Sequence, residues 1–185
     1  MQAEAPQGAS VVDWFQPEGA FLTSHNWMSN GDTGSARNRY WGDGRGTEGL
    51  RFDMKCTPGA ENYLMLLFWG DESDLREFDI YAGATQLGSQ RLLHNLPGRN
   101  FFCCYPLPAT NSNMVTIHLS SPTGTKVGVV FYAYTLARTT SRVKHVRFAN
   151  EEKNPVYNLS GQLVAEDNEA LQRGIYIVGK EKVLR

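Results

Sequence analysis

Apolar and polar residues alternate with a period of two along much of this chain, the period of a strand with one buried face. Leu50-Arg-Phe-Asp-Met54 alternates, as do Glu77-Phe-Asp-Ile-Tyr81 and Met114-Val-Thr-Ile-His-Leu119. In the last of these Val115, Ile117 and Leu119 share a face, and His118 points the other way. Tyr63-Leu-Met-Leu-Leu-Phe-Trp69 is instead a continuous apolar run, short and bounded by Gly59 and Gly70. That pattern predicts a strand buried on both faces. Residues 85–93 predict a weaker strand, and Phe101-Phe-Cys-Cys-Tyr105 one stopped by Pro106 and Pro108. Residues 127–136 predict a long strand, rich in β-branched and aromatic side chains. Pro-Gly at 58–59 and 97–98, Gly83, and Ser-Pro-Thr-Gly at 121–124 mark the turns between them.

Helical periodicity is nearly absent: only residues 165–173 could make a turn or two, and a loop fits them equally well. Short strands at a spacing of roughly 8–12 residues predict a sandwich or barrel rather than a βαβ fold. The expected architecture is all-β: an antiparallel sandwich of jelly-roll type over residues 10–138. An extended or disordered N-terminus occupies 1–9. A polar linker follows over 139–154, with a further strand over 143–148, and a small β module spans 155–185. That module reads as two strand–turn–strand patterns, over 155–164 and 174–184. A lone hairpin is marginal in water, so the unit must pack on something or serve as a recognised tag.

Composition narrows the function classes. The chain has 185 residues, 41% hydrophobic and 20% charged, with a formal net charge of −1. That balance argues against a phosphate-tracking, nucleic-acid-binding protein. No apolar run reaches the ~20 residues of a membrane span. The first residues, MQAEAPQG, have neither the basic nor the apolar region of a signal peptide, which leaves a cytosolic protein or a mature or excised fragment, and an excised fragment is the favoured expectation. Cys56, Cys103 and Cys104 are odd in number and lack framework spacing. Neighbours on a strand point to opposite faces, so they read as small strand residues rather than a disulfide.

Three stretches carry a family resemblance: SHNWMSNGDTGSARNRYWGDGRGTEGLRFDM (24–54), YLMLLFWGDESDLREFDIYAG (63–83) and LPGRNFFCCYPLP (96–108). Their order resembles the C-terminal β-sandwich of the β-L-arabinofuranosidase-like glycoside hydrolases of Bacteroidetes, over about residues 17–136. Arg76-Glu-Phe-Asp-Ile80 and Pro97-Gly-Arg-Asn-Phe-Phe102 fit that pattern, and Cys103-Cys104 depart from it. In that family the catalytic residues lie in a separate helical barrel, so the resemblance implies an accessory domain. PVYNLSGQLV (155–164) with RGIYIVGKEKVLR (173–185) resembles a C-terminal module of secreted Bacteroidetes proteins, related to sorting domains for export. It implies an address for export or surface retention.

Candidate chemistry is sparse. Glu77 and Asp79 share a strand face, roughly 6.5–7 Å apart by strand rise. That is within the range for a glycosidase pair, but alternating polar positions on any half-exposed strand look the same. Asp32 and Asp43 lie in Gly-rich loops and could ligate calcium with backbone carbonyls, or simply make Asp-Gly turns. His25, His94, His118 and His145 are too scattered for local zinc spacing. Sugar binding draws on more residues. Trp27, Tyr40 and Trp41 sit in loop-like sequence beside Asn26, Arg39 and Asp43, so aromatic faces would stack on sugar rings while amides and carboxylates take hydroxyls. The alternative is that Trp27 and Trp41 plug the open ends of the core. Tyr63 and Trp69 are expected inside it.

These residues and resemblances imply a non-catalytic accessory domain of a secreted, periplasmic or surface carbohydrate-active protein. Its partner would be a glycan or an upstream catalytic domain. A stand-alone hydrolase using Glu77 and Asp79, or a purely structural surface module, are the alternatives.

Overall fold

The computed structural model describes residues 3–138 and, in the C-terminal part, four short strands. The first part is built from β1 (Ser10–Phe15), α1 (Gly19–Ser24), β2 (Met28–Ser29), β3 (Thr33–Ala36), β4 (Arg39–Arg45) and β5 (Leu50–Lys55). β6 (Glu61–Trp69), β7 (Arg76–Ala82), β8 (Thr85–Leu92), β9 (Asn100–Pro106), β10 (Met114–Ser120) and β11 (Lys126–Arg138) follow. They form two antiparallel sheets of a jelly-roll-type sandwich. One runs β3-β4-β11-β6-β9, with β1 also on β11, and the other runs β2-β5-β10-β7-β8.

The strand of thirteen residues, β11, organises the larger sheet. β6 lines one edge over Val130–Arg138. The other edge is shared end to end: β4 pairs with the first half (Val127↔Gly44, Val130↔Gly42) and β1 with the second (Phe15↔Ala133, Ser10↔Ala137). Residues 3–9 carry the chain from the far side of this sheet, where the Ala3 N–H donates to the Phe102 carbonyl at 3.0 Å, round to β1.

The alternation places Leu64, Leu66 and Phe68 of β6 inward against Leu50, Phe52 and Met54 of β5 and Ile117 and Leu119 of β10, all with no exposed surface. Each such side chain contributes roughly 1.5–3 kcal/mol by leaving water. Phe15 closes one side of the core, stacked on Phe52 with ring centroids 4.8 Å apart. α1 has no side-chain cap and no buried residue, which is why it leaves no periodic signal in the sequence.

The C-terminal part, from Arg142, is a separate compact unit. Its strands β12 (Val156–Tyr157), β13 (Leu163–Ala165), β14 (Ile175–Val178) and β15 (Glu181–Leu184) form an antiparallel sheet of order β13-β12-β14-β15. The strand expected over 143–148, and the stretch 165–173 beyond Ala165, read as a helical turn or equally a loop, lie outside the described residues. Among the described residues no helix is long and apolar enough to cross a membrane.

Candidate functional site

The two outer faces of the sandwich differ in kind. On the five-stranded sheet most outward positions are polar, with Met114 and Tyr81 among them: Arg51, Asp53 and Lys55 on β5, Thr116 and His118 on β10, Glu77 and Asp79 on β7. On the six-stranded sheet they are apolar and aromatic. Val129 and Phe131 of β11 and Leu67 of β6 form a second buried cluster, apart from the core, with Trp41, Trp69, Phe102 and Tyr132 packed against it. A bulge at Phe131, between the pairs Val130↔Phe68 and Tyr132↔Leu67, brings both Phe131 and Tyr132 to this outer side.

Trp41 on β4 and Trp69 on β6 stand two strands apart, with β11 between them. Two strand spacings separate their backbones by about 10 Å. Val129 and Phe131 form the floor, and Ala36, Arg37 and Glu72 complete the lining of a cavity of about 140 Å³. Gly34, paired across from Trp41, gives that ring its seat, since a Cβ at position 34 would lie 2.8 Å from it. Trp69 is capped by Arg37, whose guanidinium carbon is 3.6 Å from the ring centroid. The cleft thus has two half-buried indole walls, an apolar floor, one cation and one carboxylate.

That carboxylate belongs to a buried ion group. Arg76 Nε donates to Glu72 Oε2 at 2.9 Å, and its second nitrogen lies 3.3 Å from Asp43 Oδ2. Burial pushes the Glu72 carboxyl above its usual range, against the pull of Arg76. Beyond Trp69, across the β6–β9 pair, stands Asn100. Its Oδ1 is the one fully buried side-chain polar atom without a partner among the described residues. Further along the same face a row of rings continues: Trp14 to Tyr132 at 6.5 Å, Tyr132 to Tyr134 at 6.1 Å and Tyr134 to Phe102 at 6.1 Å.

The residues expected to form one sugar platform are dispersed. Trp41 and Arg39 lie on this face, Arg39 close enough to act electrostatically on Tyr134. Trp27 goes inward, stacked between the sheets on Phe15 and Phe52, and is seated under Gly42, where a Cβ would lie 2.6 Å from its ring. Its outer edge borders a different groove, of about 740 Å³, with Met28, Asn30, Glu48 and Arg51. Tyr40 takes the opposite side of β4 from Trp41, 44% exposed, beside Pro17 and Leu22. The Asn26 amide donates to Asp53 Oδ2 at 2.7 Å. Asp43 accepts the Asp32 N–H at 2.9 Å and faces Arg76, so a calcium ion there would meet a guanidinium, and the pair does not fit the ion. Among the described residues no group of three or more His, Cys, Asp or Glu side chains is arranged to hold a metal. Glu77 accepts from Arg91 at 3.0 Å and Asp79 from Ser89 at 2.5 Å, on the open polar face.

Ser24, His25 and Asp13 stand in line, with Ser24 Oγ 2.9 Å from His25 Nδ1 and His25 Nε2 3.5 Å from Asp13. The imidazole is wedged between Phe15 and Phe21, and neither cavity above opens onto it. Cys56 is inert by burial, which pushes its thiol up to about 11.

No family model matches the chain, and no curated protein matches it. Solved structures do. An exo-β-1,3-galactanase of Phanerochaete chrysosporium, solved with galactose, aligns at 9% identity and a TM-score of 0.47 over 71% of this chain and 30% of its own. The C-terminal family 6 carbohydrate-binding module of a laminarinase from Zobellia galactanivorans aligns at 10% and 0.45, over 68% of this chain and 98% of its own. A family 35 carbohydrate-binding module from Clostridium thermocellum aligns at 11% and 0.44, over 69% and 98%. The chain spans 30% of the length of the galactanase. At these identities and scores none of them lends this chain a family or a ligand.

Of the cleft residues only Trp41 was expected at a site; Arg37, Trp69, Glu72, Val129 and Phe131 were not. Trp69 had a legible signal: it shares the parity of Tyr63, Met65 and Leu67, which is one face of β6. Glu72 and Phe131 had none, because a bend and a bulge bring them in.

Proposed function

We propose that this sandwich is a non-catalytic glycan-binding accessory module of a secreted carbohydrate-active protein, and that it holds sugar in the Trp41–Trp69 cleft. One observation supports this most: two indoles two strands apart flank an apolar floor, with a donor in Arg37 and an acceptor in Glu72 at its edge. Sugar rings present apolar faces to stack and a rim of hydroxyls to bond, and the cleft offers both. Its volume is well below the roughly 300–1,000 Å³ of drug-sized sites, which suits a single ring. The resemblance to accessory sandwiches of arabinofuranosidase-like hydrolases and the sorting-like tail support the setting outside the cytoplasm.

Calorimetric titration of arabinose-containing and related polysaccharides, run beside a glycan array, tests the reading. Saturable binding should weaken about two- to tenfold in Trp41→Ala and in Trp69→Ala, the scale of one aromatic contact of about 0.5–1.5 kcal/mol. Binding unchanged in both variants would remove the cleft as the site. A docking role against a catalytic domain is favoured instead by Val11 and Trp14, 60% and 42% exposed on the same face. It predicts no glycan binding by a folded sample. Release of reducing sugar abolished by Glu77→Gln would establish the hydrolase reading.

A further inference from the structure

We infer that the cleft selects sugars bearing a carboxylate, uronic acid residues in particular, and that Arg37 is the residue that reads it; this rests on the glycan-binding reading above.

The first ground is the turn that carries Arg37. β3 and β4 are joined by two residues, since Ala36 and Arg39 are the last pair of the ladder. Arg37 and Asn38 both have positive φ, 55° and 60°, which defines a type I′ hairpin turn. Asn, Asp and Gly are the usual occupants of such positions because they tolerate the left-handed conformation. Asn38 conforms. Arg37 accepts an unfavourable backbone conformation in a place where glycine would serve the turn better. What the arginine adds is its guanidinium, carried over Trp69 and into the lining of the cleft.

The second ground is that this guanidinium makes no ion pair among the described residues. Arg76, Arg91 and Arg138 are each matched to carboxylates, of Glu72 and Asp43, Glu77, and Glu61. Arg37 makes no ion pair among the described residues, although its charge, after the hydrogen bonds from His94 and Gly98, helps hold the Asp71 carboxyl below its usual range, and the acids nearest it already have other partners. Glu72 Oε2 takes Arg76, while Asp71 takes His94 Nδ1 at 2.7 Å with one oxygen and the Gly98 N–H at 3.0 Å with the other. The contact with Trp69 holds the group over the ring, at the lining of the cleft. A planar fork of this kind matches a carboxylate with two parallel hydrogen bonds, which a lone hydroxyl does not. Arg39, also without a carboxylate partner among the described residues, adds a second positive charge to the face. A sugar ring lying on the Val129–Phe131 floor would present an acid group on its rim to Arg37.

The test uses the whole chain and a glucuronic acid-bearing arabinoxylan, titrated beside the same polymer after its carboxyl groups are reduced to alcohols. The acid form should bind about tenfold more tightly at low salt, a difference of 1.4 kcal/mol, and the gap should narrow as salt rises. Arg37→Gly suits the positive φ and keeps the turn. It should bring the two affinities together, with that for the acid polymer falling by the larger factor, because the reduced polymer loses only a hydroxyl contact to Arg37. Arg37→Lys, which keeps the charge and loses the fork, should fall between. Equal binding of both polymers by the parent chain overturns the inference and leaves glycan binding standing. So does a preference that survives Arg37→Gly. Failure to bind either polymer, or any glycan on the array, overturns the underlying reading and this inference with it.

Discussion

Gly31, Gly34, Gly42, Gly44 and Gly49 are spaces for other groups. Gly42 makes room for the Trp27 ring beneath it, Gly34 seats Trp41, and Gly49, at φ 52°, lies so close to Leu119 that a Cβ would fall 1.9 Å from its carbonyl oxygen. Composition alone makes the stretch 31–49 look like a loop. Its glycines instead let a hairpin approach its neighbours closely. The Trp41 seat gives a test. Gly34→Ala places a methyl 2.8 Å from the ring and must shift it. Glycan affinity should then drop about as far as in Trp41→Ala, by two- to tenfold, while thermal unfolding of the folded chain stays cooperative. Calorimetry with indole fluorescence measures both. An alanine that leaves affinity intact would show that the ring's seat does not set the site.

Elements were legible wherever alternation ran unbroken. β5, β6, β7, β8, β9, β10 and β11 fall on the runs that the pattern predicts, to within a residue or two at their ends. β1 and β4 were not legible, for different reasons. β1 carries a bulge between Val11 and Asp13 that shifts the phase of its alternation, so Val11 and Trp14 point outward while Phe15 points in. β4 reads Arg-Tyr-Trp-Gly-Asp-Gly-Arg, with glycine at the inward positions where a strand would normally show Val or Leu. Yet β1 supplies a full core side chain. Phe15 has no exposed surface and stacks on Trp27 as well as on Phe52. Phe15→Ala should cost about 3–5 kcal/mol, as a lower midpoint in urea unfolding with an unchanged slope. A loss under about 1 kcal/mol would mean that β1 is an ornament on β11 rather than part of the core.

The sandwich, taken by itself, has two unlike sheets. Its polar sheet faces water as antiparallel sheets usually do. Its aromatic sheet leaves a face that monomeric proteins rarely keep without a use. The apolar run 63–69 announced a strand covered on both sides, and the structure agrees to the extent that Met65 and Leu67 are 8% and 6% exposed. The cover, however, comes from the face's own rings. Tyr63 and Trp69 therefore sit outside the core, where sequence reasoning had expected them within. The candidate cleft draws Arg37 and Trp41 from one hairpin, Trp69 and Glu72 from the end of β6 and the bend after it, and Val129 and Phe131 from β11. Periodicity assigns a residue to a face of its own strand. It cannot say which strands will be neighbours, and the cleft is a product of neighbours.

The pairing of Ser10 with Ala137 has a mechanical consequence. The first residue of β1 and the end of β11 lie at the same end of the sheet, so tension between residues 10 and 138 loads the bonds of that ladder one after another, as in a zip. In an optical trap β1 should peel away in a small early step, before the sandwich gives way. Trp14 rides on β1 and would leave with it. Trp41 and Trp69, held by β4 and β6, lie off the line of force, and a grip made there would outlast the clasp.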